Sequence, residues 1–171
     1  ELVNIGCALR HDYQYILRPT IRKNYVRILI IGATFERSIE ILNFINHSNI
    51  PKETFKITFR PHPSYPYQSL KPFLNPNIIK TITIKNDSLV DQLENTDIVV
   101  YSGSTVSLDA LAYSLPVVNI EFDDFISPDP LFDFDDFKWN VTYPKELITV
   151  FEKIISLSKK EYIARQLKGL N

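Results

Sequence analysis

Short β-branched runs alternate with helix-patterned stretches along most of this chain, and that alternation limits the fold more than any single motif does. Arg27-Ile28-Leu29-Ile30-Ile31-Gly32 is nearly continuous in branched apolar residues, as a strand buried on both faces requires. Thr34 can cap a helix over 35–47, where Ile39, Leu42 and Ile45 recur at helical spacing. A second strand, Phe55–Phe59, puts Phe55, Ile57 and Phe59 on one face and stops at Arg60-Pro61-His62-Pro63, where two prolines forbid regular structure. The stretch Pro61–Pro76 is rich in proline and has room for one short helix around Gln68–Leu74. Ile78–Ile84 reads as a third strand, Asp97–Tyr101 as a fourth and Pro116–Ile120 as a fifth. Ser88, with Asp91 three residues on, opens the helix before the fourth strand in a capping-box-like pair. Ser102-Gly103-Ser104-Thr105 is a turn and cap, and the helix after it sets Leu108, Leu111, Ala112 and Leu115 on one side.

Strand–helix alternation at this spacing means right-handed βαβ units. The fold class is therefore α/β: a Rossmann-like open parallel sheet of about five strands, in the order 3-2-1-4-5, with helices on both faces. The 171 residues suffice for one such domain, and 44% hydrophobic and 12% aromatic residues can fill its core. Residues 26–158 form the α/β domain, closed by a helix over Lys145–Leu157, and 159–171 are a C-terminal tail. Residues 1–25 are a linker or extra strand, with Leu2–Ala8 as the strand candidate and Arg10–Lys23 as surface loop. Glu121–Trp139 is acidic and aromatic without helical or strand period; Phe-Asp-Asp-Phe occurs in it at 122–125 and 134–137, with no similarity around the two copies. The chain starts at Glu1 and contains no methionine, so it is expected to be a piece cut from a longer protein.

Several function classes drop out. Nineteen Lys and Arg against twenty Asp and Glu give a net charge of −1, which removes the electrostatic case for nucleic acid as a partner. A lone Cys7 allows neither an intrachain disulfide framework nor a cysteine zinc site, and fits a reducing compartment. No apolar run nears the roughly 18–20 residues of a transmembrane segment. The longest, Val26–Ala33, is strand-sized and broken by Arg27. The three histidines lack metal-ligand spacing. There is no Walker lysine, no G-x-G-x-x-G and no G-x-S-x-G, which argues against P-loop kinases, standard NAD enzymes and serine hydrolases.

Ligands of an open parallel sheet bind outside the carboxyl ends of the strands. Ser102, Gly103, Ser104 and Thr105 sit where the fourth strand becomes a helix; the glycine admits close approach, free N–H groups and hydroxyls can donate to phosphate, and helix capping alone is the alternative. His62, pinned between prolines after the second strand, can donate to a phosphate oxygen or act as an acid, with Arg60 adding charge; a surface histidine in a stiff turn is the alternative. Asp109, about one turn into the helix, can reach ribose hydroxyls or merely suit the helix dipole. The acidic residues Glu121, Asp123, Asp124, Asp129, Asp133, Asp135 and Asp136 could bind a divalent cation or sugar hydroxyls, but they lack the glycine-centred spacing of a calcium loop and better fit a solvated loop anchored by its aromatics.

In this order, Arg60-Pro61-His62-Pro63, Asn86-Asp87-Ser88-Leu89, Asp97-Ile98-Val99-Val100-Tyr101-Ser102-Gly103-Ser104-Thr105 and Asp109-Ala110-Leu111-Ala112-Tyr113-Ser114-Leu115-Pro116-Val117-Val118 resemble the C-terminal, donor-nucleotide half of GT-B-fold glycosyltransferases. The resemblance covers about residues 26–122 and is strongest to bacterial surface-carbohydrate enzymes of the CDP-glycerol glycerophosphotransferase and polysialyltransferase type. It implies a cytoplasmic transferase, free or at the inner face of the membrane, that moves a sugar or polyol-phosphate unit from a nucleotide-sugar or CDP-polyol donor to a glycan acceptor. His62 would contact the donor phosphates and be the catalytic group. Ser102, Ser104 and Thr105 would hold those phosphates, Asp109 the ribose, and the loop Thr83–Ser88 the base. The leaving nucleotide would be stabilised electrostatically, with no cofactor and no metal. The acceptor would be held by an N-terminal half outside this chain, so the isolated chain would be inactive. A nucleotide-sugar 2-epimerase half and a noncatalytic nucleotide-binding module are the alternative readings. Arg60 stands where lysine is common in these enzymes, and Ser114 where glycine usually precedes Leu-Pro.

Overall fold

The computed structural model describes residues 18–21, 24–85 and 87–169. The Leu2–Ala8 strand candidate, Cys7, His11, most of the Arg10–Lys23 loop and Asn86 lie outside the described residues. Six strands, β1 (Val26–Ile31), β2 (Phe55–Arg60), β3 (Ile82–Ile84), β4 (Ile98–Tyr101), β5 (Val117–Ile120) and β6 (Lys138–Val141), form one sheet in the order β3-β2-β1-β4-β5-β6. Every neighbouring pair is parallel. The expected order is thus present, with one further strand at its end.

The connections follow from local chemistry. Helix α1 (Phe35–His47) starts where the Thr34 hydroxyl accepts from the Arg37 N–H at 3.3 Å. Between β2 and β3 the chain forms α2 (Tyr67–Leu70), a 3-10 turn at Lys71–Phe73 and α3 (Pro76–Ile79). The third strand is therefore shorter than the apolar run that announced it. Asn75 caps the Asn77 N–H at 2.8 Å and Pro76 takes a first-turn position, so Ile78 and Ile79 are helical. Helix α4 (Leu89–Glu94) opens on Ser88, whose hydroxyl accepts from the Asp91 N–H and donates to the Asp91 carboxylate at 2.6 Å. Helix α5 (Val106–Ala112) carries only part of the expected apolar face: Leu111 is buried, and so is Leu115 just beyond the helix, but Leu108 is exposed while Ser107, Asp109 and Ala110 are buried. After β6 come α6 (Glu146–Ser156) and α7 (Lys159–Gly169). In α7, Tyr162 is buried and the Gln166 amide donates to the carbonyls of Arg18 and Ser114. No helix among the described residues is long and apolar enough to cross a membrane.

One face of the sheet carries α1, α3 and α6. The Phe151 ring of α6 lies 5.3 Å from Phe55 of β2, and Ile45 of α1, Ile57 of β2 and Ile78 of α3 line a pocket of about 500 Å³ at its rim. The opposite face is covered over β4 and β5 by α5, against which α7 packs, but over β2 and β3 it presents Lys56, Thr58 and Thr83. In β2, accordingly, buried Phe55, Ile57 and Phe59 alternate with exposed or half-buried Lys56, Thr58 and Arg60.

Candidate functional site

All six strands run the same way, so their carboxyl ends share one edge, and β1 lies between β2 and β4. At about 4.8 Å per strand the β2 and β4 exits, which lead to His62 and Ser102, are about 10 Å apart. Gly32, at the end of β1, makes the crossing tight: its N–H donates to the Arg60 carbonyl at 2.8 Å, and a Cβ there would meet the Ser38 hydroxyl at 3.0 Å and the His62 backbone nitrogen at 3.1 Å. This is a close approach that a side chain would obstruct.

His62 is exposed beyond β2. Its Nδ1 accepts from the Ser64 N–H at 3.2 Å, so the neutral ring carries its proton on Nε2 and presents a donor outward. Tyr65 packs 5.8 Å from the imidazole and 6.1 Å from Phe35, which backs the turn with apolar rings. Arg60 goes elsewhere: its guanidinium donates to the Asp87 carbonyl at 3.1 Å, on the β3–α4 loop.

Gly103 has φ +66°, a conformation that glycine adopts without steric cost. Ser102 is buried, Ser104 is half-buried and Thr105 is exposed. The Ser104 carbonyl accepts from the Ser107 hydroxyl at 2.8 Å, and the Ser104 hydroxyl accepts weakly from the Val106 N–H at 3.4 Å. Thr105 makes no side-chain cap. Asp109 is buried, 9% exposed, and engaged within the protein.

Most of the acidic segment is exposed and anchored by Phe122 and Phe134, as expected, but two of its carboxylates brace it, which the sequence reading missed. Asp129 is buried; one carboxylate oxygen accepts from the Tyr101 phenol at 2.7 Å and the Leu131 N–H at 3.0 Å, and the other pairs with the Lys138 ammonium. Lys138 in turn donates to the Leu131 carbonyl at 2.7 Å. Burial, and then the bond to Asp129, push the Tyr101 phenol well above its ordinary value, so it stays a donor. The bracing seats Pro128 against Gly103: a Cβ on that glycine would lie 3.1 Å from the proline ring. A second brace joins Asp124 to Arg37 of α1, whose guanidinium stacks 4.4 Å over the Phe122 ring. Between the braces lies a cleft of about 150 Å³ lined by Ser102, Asn119, Glu121, Asp124, Ser127 and Asp129 among others; His62, Ser104 and Asp109 do not line it. The available signal was Lys138 flanked by Phe137 and Trp139, since a lysine in a buried strand requires a carboxylate partner.

No protein-family model and no curated protein sequence matches the chain. Solved structures do. The C-terminal CMP-Kdo binding domain of WaaA from Acinetobacter baumannii matches with a TM-score of 0.56 at 12% identity, over 87% of this chain and 91% of that one. WaaG, a glycosyltransferase involved in lipopolysaccharide biosynthesis, matches with a TM-score of 0.55 at 12% identity, over 88% of this chain and 43% of that one. A protein assigned as a UDP-N-acetylglucosamine 2-epimerase from Listeria monocytogenes gives 0.50 at 15% identity, over 85% and 40%. The chain thus spans less than half the length of the last two. At these identities the likeness is one of fold: an open parallel α/β sheet of the kind found in GT-B glycosyltransferases.

Proposed function

We propose that this chain is the donor-nucleotide-binding half of a glycosyltransferase, or of a glycerophosphotransferase-like enzyme, of surface-polysaccharide biosynthesis. The observation that carries the reading is one edge of one sheet: an outward Nε2–H on His62 and the glycine turn Ser102–Thr105 lie about two strand spacings apart across β1. The fold matches nearly the whole of a domain described as binding CMP-Kdo.

A nucleotide diphosphate or monophosphate would lie across the end of β1. As an acceptor hydroxyl attacks, the bond from the transferred unit to the nucleotide breaks, and its electron pair leaves on a phosphate oxygen. His62, the Gly103 N–H and the N–H and hydroxyl groups of Ser104 and Thr105 donate to that growing charge, so the proposed step requires no metal; a phosphate role for the buried Ser102 hydroxyl requires the turn to uncover it. Arg60 holds the Asp87 carbonyl and thereby shapes the Thr83–Ser88 loop for the base. A ribose role for Asp109, implied by the family resemblance, requires the first turn of α5 to uncover it. The acceptor and the catalytic base would come from a second half outside this chain.

Calorimetry against CMP, CDP, UMP and UDP tests the reading. Weak binding of at least one nucleotide without turnover is expected, because half a cleft lacks closure and orientation; silence toward all four by a folded sample would favour a noncatalytic module. In the parent protein, His62→Ala should lower kcat more than it weakens nucleotide binding, by about 2–4 kcal/mol of transition-state stabilisation. Ser104→Ala should cost less, since backbone donors remain. Near wild-type turnover of His62→Ala would reduce that residue to a stiff turn.

A further inference from the structure

The uncovered part of the sheet is itself a shaped surface. Over β1, β2 and β3 lies a depression of about 410 Å³ bordered by Tyr25, Arg27, Lys56, Thr58, Thr83 and Lys85. Register places Arg27 beside Lys56 and Thr58 beside Thr83, so these side chains come off one face in rows. Arg27 is neutralised by Asp97, which it meets through two nitrogens at 2.9 and 3.0 Å. Lys56 and Lys85 are exposed and form no ion pair among the described residues; Lys56 donates only one hydrogen inward, to the Lys52 carbonyl at 2.9 Å. Among the described residues, Asp87 is the one carboxylate bordering the adjoining hollow.

That hollow, shared by Thr58, Lys85, Gln92 and Asn95, contains an unmet demand. The Gln92 amide nitrogen donates to the carbonyls of Lys85 and Asp87 at 3.2 and 3.3 Å, which fixes its orientation. Its Oε1 is then buried without a hydrogen-bond partner, on a residue only 4% exposed. The Oε1 is closed off from solvent and the hollow holds only about 20 Å³, so an occupant meets the rim: it must bring acceptors for two ammonium groups and partners for two threonine hydroxyls.

We propose that this face binds an anionic oligosaccharide. Sugar hydroxyls pair with the Thr58 and Thr83 hydroxyls, carboxylates or phosphates accept from the Lys56 and Lys85 ammonium groups, and the half-exposed Tyr25 ring offers an apolar platform for a sugar face. A packed helix is a poor occupant, because Lys56, Thr58 and Thr83 give it nothing apolar to bury against. The choice of a glycan over other polyanions rests on the transferase reading above; the position, on the sheet face rather than its carboxyl edge, does not.

Titration of the full chain with an oligogalacturonate hexamer, followed by amide NMR shifts at low salt, tests this. The carboxyl-reduced, neutral hexamer serves as control. The acidic hexamer should move amides of β1, β2, β3 and α4, and the neutral one should bind about tenfold more weakly or worse, the equivalent of one good charge contact. Lys56→Glu should weaken the acidic hexamer by a similar factor and leave pyrimidine-nucleotide binding unchanged, so that failure here and failure of the nucleotide reading are separable. Shifts confined to the carboxyl edge, equal binding of the neutral hexamer, an unaffected Lys56→Glu, or tighter binding of an acidic peptide or single-stranded oligonucleotide would each overturn the proposal.

Discussion

The two halves of one sheet obey different rules. In β4 and β5 every residue is buried, and both faces are covered. In β2 and β3 only one face is covered, and lysine and threonines stand on the other. Parallel strands are ordinarily buried on both faces, so the covered half is the expected one and the open half is the exception. The open half lies beside the β3–α4 loop, and the β2–α2 turn that carries His62 leaves from its edge. The filled half supplies stability, and the half that carries half the candidate site is less deeply packed.

The comparison breaks most sharply at the buried ion pair that closes the filled half. Asp129→Ala strands the Lys138 ammonium, whose side chain is 2% exposed, beside a phenol that has lost its acceptor. Urea unfolding should show a loss of about 3–5 kcal/mol, whereas Asp129→Leu with Lys138→Met should cost clearly less, because no buried charge is left unpaired. Equal losses would mean that the network, rather than charge burial, fixes the 127–131 segment.

A pair of truncations measures the asymmetry more gently. Ile98→Ala in β4 removes a fully buried side chain and should cost about 2–4 kcal/mol. Thr83→Ala in β3 removes an exposed one and should stay within about 0.5 kcal/mol. Comparable losses would show that the open face is covered in solution.

The same asymmetry governs what could be read from residues alone. Continuous runs such as Arg27–Ile31 and Ile98–Tyr101 have one interpretation, and both are strands. Phe55-Lys56-Ile57-Thr58-Phe59 alternates, so the face carrying Phe55, Ile57 and Phe59 was legible, whereas the expectation of helices on both faces overlooked the bare face that the same alternation signals. The sixth strand was hidden because Lys138 breaks the apolar pattern while being buried, a compensation supplied by Asp129 nine residues earlier. The third strand was overextended because Asn75-Pro76 outweighs the β propensity of Ile78 and Ile79. The site's strand ends follow from topology alone, whereas the direction of a side chain, such as Arg60 toward Asp87 or Asp129 into the core, depends on partners distant in sequence.

The smallest expected effect has the opposite sign and sits where α5 turns into β5, inside the filled half. Ser114 has φ +54°, the left-handed region that suits glycine, and this accounts for the glycine usual there in the resembling enzymes. The backbone is held in that conformation by the Ser114 N–H donating to the Leu111 carbonyl at 2.7 Å and by the Gln166 amide of α7 donating to the Ser114 carbonyl at 3.2 Å. Its hydroxyl contributes nothing in return, since it is buried without a hydrogen-bond partner. Ser114→Gly relieves the strained φ and removes the orphaned hydroxyl, while the unfolded chain gains backbone freedom that offsets part of the benefit. The net should be a stabilisation of about 0.5–1 kcal/mol in urea unfolding, with Ser114→Ala, which keeps the Cβ, recovering only the hydroxyl's share. If alanine stabilised as much as glycine, the backbone at this corner would be unstrained, and the filled half would carry its one cost in the hydroxyl alone.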